Sequence, residues 1–237
     1  MEIIFENEYL SIIKEGRLYK IEFESPSPEI ANSLLKTRII RDGTINDSYQ
    51  ILYFKALKVR TLKQYQEYHK ECSGKKNFTV NQIALMVRSL TIQLEYLLTY
   101  ENQTLLGYNP EEIIVIDDEK FAFLGSELVA EIDSGGSSLA IISCPFSSSE
   151  FYFSPEILKI KEIPSYVHYK TCYFSLACLL IYCIEGNDEF YKNYINDINI
   201  NKLIEILENY PIKDTKIHWI IKRCLKEIPE DRSIIYI

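Results

Sequence analysis

Five acidic side chains crowd the middle of this 237-residue chain: Glu111, Glu112, Asp117, Asp118 and Glu119. Neighbouring carboxylates can share a divalent cation or move a proton, so these are the first residues to weigh for chemistry. Ile113–Ile116 and Lys120–Leu124 flank three of them and read as a hairpin, with Asp117-Asp118-Glu119 as its solvated turn. Softer ligands do not gather. The six cysteines stand at 72, 144, 172, 178, 183 and 224, without a C-x-x-C pair. Cys172, Cys178 and Cys183 share one apolar stretch and read as small buried hydrophobes. His69, His168 and His218 lie far apart. His168 and Cys172 are four residues apart on an expected helix, but a zinc site needs further ligands. No G-x-G-x-x-G occurs, and SIIKEGRLYK offers only Gly16 for a close backbone approach to phosphate. The residues therefore predict no metal and no cofactor.

The elements that must position these groups follow from periodicity and caps. Residues 2–24 read as strand, turn and strand, with the turn at Lys14-Glu15-Gly16-Arg17. Ser27-Pro28-Glu29 reads as a helix start with Ser27 as cap, and Gly43 as its stop. SYQILYFKALKV (48–59) reads as one or two strands, and TLKQYQEYHKE as a short helix. Thr79-Val80-Asn81-Gln82 fits a capping box. Ile83, Val87, Leu90, Leu94 and Leu97 then recur on one helical face, which predicts a helix to about Tyr100. The Ser/Gly-rich residues 126–150 read as a long loop. Tyr166–Glu185 is almost continuously apolar and reads as a central buried helix. Asp188–Asn196 and Lys202–Tyr210 are further helices, and Asp214 is the expected cap of the last. Strands with one helix precede helices with one hairpin, which is an α+β pattern.

The chain has 34 acidic and 26 basic residues, a net charge of −8, which argues against broad nucleic-acid binding. No apolar run reaches the length of a membrane span. The N-terminus, MEIIFENEYL, has acids where a secretion signal needs basic residues, so an intracellular, cytoplasmic protein is expected.

Three blocks carry a resemblance to the protein kinase-like superfamily. Tyr152-Phe153-Ser154-Pro155-Glu156 resembles the A-P-E end of an activation segment. Cys172-Tyr173-Phe174-Ser175-Leu176-Ala177-Cys178 is similar to the D-x-W-S-L-G-C helix of the larger lobe. Arg223 to Arg232, RCLKEIPEDR, resembles the closing C-L-x-x-x-P-x-x-R. Residues 91–125 look like the segment running from a long helix through H-R-D-L-x-x-x-N to D-F-G. The match covers 61–237 well and 1–60 poorly.

The resemblance implies a two-lobed fold, with a reduced β-rich N-lobe at 1–59 and a mostly helical C-lobe at 60–237. It implies a salt bridge between Glu156 and Arg232. It also implies that the catalytic positions are degenerate. Gly107 stands where the general base belongs, and Glu112 and Phe123 stand where the metal ligands belong. Cys172 replaces the Asp that opens the central helix. Lys20 is the nearest counterpart of the V-A-I-K lysine and a weak candidate for nucleotide contact, with Glu29 as its possible partner. The expected function is a catalytically inactive pseudokinase that binds a protein partner as scaffold or regulator; its many tyrosines suit such interfaces. A noncatalytic C-lobe module is a related variant, against which the N-terminal strands argue. The alternatives are an atypical phosphotransferase using Glu111, Glu112, Asp117 and Asp118, and a structural subunit of a large assembly.

Overall fold

Alternating apolar and polar residues build the first quarter of the chain into an antiparallel sheet. The computed structural model describes residues 1–133, 135, 138–143, 152–210 and 212–234. Strands β1 (Glu2–Glu6), β2 (Leu10–Glu15) and β3 (Leu18–Phe23) are followed by helix α1 (Pro28–Lys36), then β4 (Thr44–Ile45) and β5 (Ile51–Lys55). The sheet order is β1-β2-β3-β5-β4. The stretch before Gly16 holds two strands where the sequence reads as one. Asn7 breaks it, because its Oδ1 accepts from the backbone N–H of Tyr9 at 2.9 Å and Leu10 at 2.8 Å. Ile12, Tyr19, Ile21, Leu52 and Phe54 pack with Ile30 and Leu34 of α1 into a smaller apolar cluster.

Helix α1 starts where its Pro predicts, but Ser27 does not cap it; the hydroxyl donates to the Ser25 carbonyl at 3.0 Å. The stop comes at Lys36, well before Gly43. Arg38 turns left-handed there at φ 59°, and Ile40 N donates back to the Leu34 carbonyl at 3.1 Å.

Strand β6 (Val59–Thr61) leads into α2 (Leu62–Ser73) and α3 (Val80–Tyr96). Both helices open with a complete capping box, Thr61 with Gln64 and Thr79 with Gln82. Helix α3 ends in a π-helical turn at Leu97–Glu101. Strands β7 (Gln103–Leu105), β8 (Gly107–Tyr108), β9 (Ile113–Ile116) and β10 (Lys120–Phe123) come next. β9 and β10 form the expected hairpin, and β6 extends it to a three-stranded sheet. Its turn residues Asp117 and Asp118 both take positive φ, 52° and 60°, as a tight hairpin turn requires. They are more than solvated. Asp117 Oδ1 accepts from the N–H groups of Leu57 and Lys58, each at 2.8 Å, and Asp118 pairs with Arg60.

The expected loop over 126–150 carries structure in its described part: a 3-10 turn at Ser126–Leu128, β11 (Val129–Glu131) and β12 (Leu139–Ile142). β11 pairs with β7 because Ala130 and Leu128 have apolar faces to bury. Residues 144–150, including Cys144, lie outside the described residues. β13 (Tyr152–Phe153) pairs with β8, and α4 (Pro155–Leu158) follows it. The expected Tyr166–Glu185 helix is two elements. β14 (Ser165–His168) pairs with β12, and α5 (Thr171–Glu185) begins only after Lys170. The β-branched Val167 and aromatic Tyr166 suit the strand, so His168 and Cys172 do not share a helix. Helices α6 (Glu189–Asn196), α7 (Ile200–Glu208) and α8 (Lys216–Cys224) follow, and then a 3-10 turn at Pro229–Asp231. The cap of α8 is Thr215, whose hydroxyl accepts from His218 N, while Asp214 turns left-handed ahead of it at φ 63°.

The result is a mixed α+β molecule, an antiparallel sheet first and helices after it. The larger apolar cluster surrounds α5, in which Cys172, Phe174, Leu176, Ala177, Cys178, Ile181 and Cys183 are buried. The β9–β10 hairpin sits between the two clusters. Ile113, Val115, Phe121 and Phe123 face the larger one; Ile114, Ile116, Ala122 and Leu124 face the smaller. A strand buried on both faces reads as a continuous apolar run, as these two do. Among the described residues, no helix is long and apolar enough to cross a membrane.

Candidate functional site

The open end of the β9–β10 hairpin gathers Glu112, Phe123 and Gly125. Glu112 precedes β9 and Phe123 ends β10, and Leu124 N donates to the Glu112 carbonyl at 2.9 Å. Two residues that sequence reasoning missed hold this junction. Gln93 of α3 is 1% exposed and grips Phe123 twice. Its Oε1 accepts from Phe123 N at 3.0 Å, and its Nε2 donates to Phe123 O at 2.8 Å. The same Nε2 reaches the Ser33 hydroxyl of α1 at 3.1 Å. The second is Asn7, whose Nδ2 donates to Glu112 Oε1 at 3.2 Å. A polar residue on the buried face of α3 is the signal that could have found Gln93. Nothing local marks Asn7, because its partner is 105 positions away.

Glu112 is 1% exposed. Burial and the nearby Glu127 carboxylate, in that order, push its carboxyl up to about 9. Its Oε2 is buried without a hydrogen-bond donor among the described residues, and the Glu127 carboxyl lies against the group. A proton on Glu112 supplies the missing donor. At neutral pH the group is a neutral acid, which is a weak ligand for a hard cation. No cluster of three or more acids, histidines or cysteines suited to a metal occurs among the described residues.

Phe123 is fully buried, and its ring meets Tyr108 edge-on at 5.1 Å. A Cβ on Gly125 would run into that ring at 2.6 Å and into Glu112 Oε2 as well. Gly107 lies in β8 opposite Phe153 of β13. A Cβ there would stand 2.7 Å from the Phe153 ring and 2.9 Å from the Tyr152 carbonyl. Even the first atom of an aspartate side chain does not fit.

The other candidate acids do not converge on Glu112. Glu111 faces Lys63 at 3.6 Å. Asp117 and Asp118 are engaged at the far end of the hairpin, about 16 Å along a strand of this length. Lys20 is not brought to this group either. It pairs with Glu22 on its own strand at 2.9 Å. Glu29, its expected partner, accepts instead from Gln103 Nε2 at 3.4 Å.

Cys172 is buried near the start of α5, and burial pushes its thiol up to about 12. Its Sγ donates to the Tyr169 carbonyl at 3.1 Å, which makes it a packed, inert thiol.

Arg232 is fully buried and holds Glu156 with both terminal nitrogens, Nη2 to Oε2 at 2.9 Å. Nε donates to the Lys226 carbonyl at 2.9 Å. The Lys170 and Glu227 carbonyls take the remaining N–H groups at 3.4 and 3.3 Å. Phe174 lies under the guanidinium at 5.1 Å. Such a bidentate, fully satisfied pair is a structural clamp.

Beside α2, α5 and α6 opens a cleft of 480 Å³, lined by Lys63, Gln66, Glu111, Tyr152, Tyr182 and Asp188 among others. Tyr182 donates to Gln66 Oε1 at 2.7 Å, while Gln66 Nε2 is buried without a partner among the described residues. The cleft offers carboxylates, ammoniums, an amide donor and aromatic walls.

No protein-family model matches the chain, and no curated protein matches it.

Proposed function

We propose that the chain is a catalytically inactive, protein kinase-like module, a pseudokinase, that acts by binding a protein partner. One observation carries this reading: the position assigned to the general base is occupied by a glycine with no room for a side chain. Gly107 is walled off by Phe153 and Tyr152. The positions assigned to the metal ligands agree with it. Phe123 offers only a buried ring, and Glu112 keeps its proton. The Glu156–Arg232 clamp supports the scaffold half of the proposal, since it ties the A-P-E-like segment to the chain's last turn. For the partner, the 480 Å³ cleft supplies the surface. The tyrosines Tyr152 and Tyr182 give it apolar walls. The phosphotransferase alternative gains nothing from acids held at opposite ends of one hairpin.

The test is thermal melting with millimolar ATP, with and without Mg²⁺, followed by radiolabel transfer. A ligand at 100 times its dissociation constant adds about 2.7 kcal/mol. We expect no Mg²⁺-dependent gain and no transfer. A Mg²⁺-dependent gain, with transfer that disappears in Glu112→Gln, overturns the reading.

A further inference from the structure

A second cavity, of 610 Å³, opens beside α3 and plays no part in the function proposed above. Its walls are the α1–β4 connector (Thr37, Arg38, Ile39 and Arg41), one face of α3, and the hairpin turn Asp118–Lys120. Asn81, Leu85, Arg88, Ser89 and Ile92 stand at helical spacing, so they line it together. Four cations therefore meet two carboxylates there, and Asp118 is already bound to Arg60.

Among the described residues, Arg38, Arg41 and Arg88 make no ion pair. This is notable in a chain with 34 acids and 26 bases, where a carboxylate is the commoner neighbour. The connector is also held in place from beneath. Lys120 Nζ donates to the Arg38 carbonyl at 2.7 Å and to the Ile39 carbonyl at 3.0 Å. An ammonium has three N–H groups, so one is left for a ligand. Burial first, and the neighbouring Arg41 charge second, lower the Lys120 affinity for its proton, against the opposing pull of the Asp117 and Glu119 carboxylates. Guanidiniums present paired donors that match phosphate oxygens, and three of them call for more than one negative charge.

We propose that this cavity binds a small anion carrying two or more phosphoryl groups. The three arginines and Lys120 hold the phosphoryl oxygens. Asn81 and Ser89 add neutral polar groups, and Ile39, Leu85 and Ile92 supply an apolar wall. A long polyanion is disfavoured, because the molecule around the cavity carries a net charge of −8.

The full chain is titrated calorimetrically, in Mg²⁺-free buffer at low salt, with inorganic pyrophosphate and separately with inositol trisphosphate. We expect one site per chain with a dissociation constant below about 0.1 mM, weakening as salt is raised. Tighter binding of pyrophosphate assigns the site to a compact diphosphate, and tighter binding of inositol trisphosphate to a ring-borne polyphosphate. The Arg41→Gln/Arg88→Gln variant should lose at least tenfold in affinity at an unchanged melting temperature, because both side chains are exposed. Lys192→Gln, at the other cleft, should bind as the parent does. If the double variant does not fold, Arg88→Gln alone provides the readout. The proposal is overturned if neither anion saturates below the millimolar range, if the arginine variants bind as tightly as the parent, or if several ions bind per chain.

Discussion

Glu112 sits in an environment far from the one its residue type usually occupies. An acid normally ionised at pH 7 is held neutral by burial and by Glu127. The folded protein thus keeps a proton that the unfolded chain releases. The contribution of this group is fully present below the unfolded value of 4.5, and is lost as pH rises through the folded value of about 9. Glu112→Gln keeps the shape and can never ionise. Its stability advantage over the parent should therefore grow by roughly 2–3 kcal/mol between pH 5 and 7.5. Urea unfolding across that range measures it, and an advantage that does not change with pH rules out a neutral Glu112 in the native state. Gly107 belongs to the same scale. The Phe153 ring fills the space a side chain there would need, so placing an acid at that position requires repacking β13.

Among the elements, α3 does the most positioning. Its outer end is fixed by the Thr79–Gln82 capping box, and its inner face carries Gln93 to the backbone of Phe123. That double hydrogen bond, between a rigid helix and a strand end, sets how β10 leaves the sheet. Gln93→Leu strands both the N–H and the C=O of Phe123 in an apolar surround. An unsatisfied buried group costs about 1–3 kcal/mol, so the variant should lose about 2–5 kcal/mol by chemical denaturation. Amide exchange at Phe123 should quicken with it. Unchanged protection at that amide would show that the junction does not depend on the helix.

On the scale of the molecule, the two apolar clusters share one hairpin, and the C-terminal turn is clamped to α4. The β9–β10 pair contributes alternate residues to each cluster, so neither can loosen without disturbing the other. Arg232 acts from the far end of the chain. Replacing it with Ala leaves the Glu156 carboxylate with no cation and should cost about 3–5 kcal/mol. Arg232→Lys should recover little, because an ammonium cannot reproduce the fork or reach the three carbonyls. Melting curves of the two variants check this, and a parental melting temperature for Arg232→Ala would show that the clamp adds no stability.

Much of this was legible in the order of residues. The capping box at Thr79, the α3 stripe from Ile83 to Leu97 and the β9–β10 hairpin all rest on patterns within one or two turns of chain. Periodicity and capping act over that range, so the sequence alone determines them. The limits of α5 and the strands inside 126–142 were not legible, because β14 and β11 exist only through partners far along the chain. The candidate site divides the same way. The identities of Gly107, Glu112 and Phe123 are visible in the sequence. That Gly107 has no space, that Glu112 holds its proton, and that Gln93 and Asn7 support them depend on contacts between distant segments. So does the arginine-lined cavity, whose walls come from three separate stretches. Burial and electrostatics are properties of neighbours in space, and only the tertiary structure decides who those neighbours are.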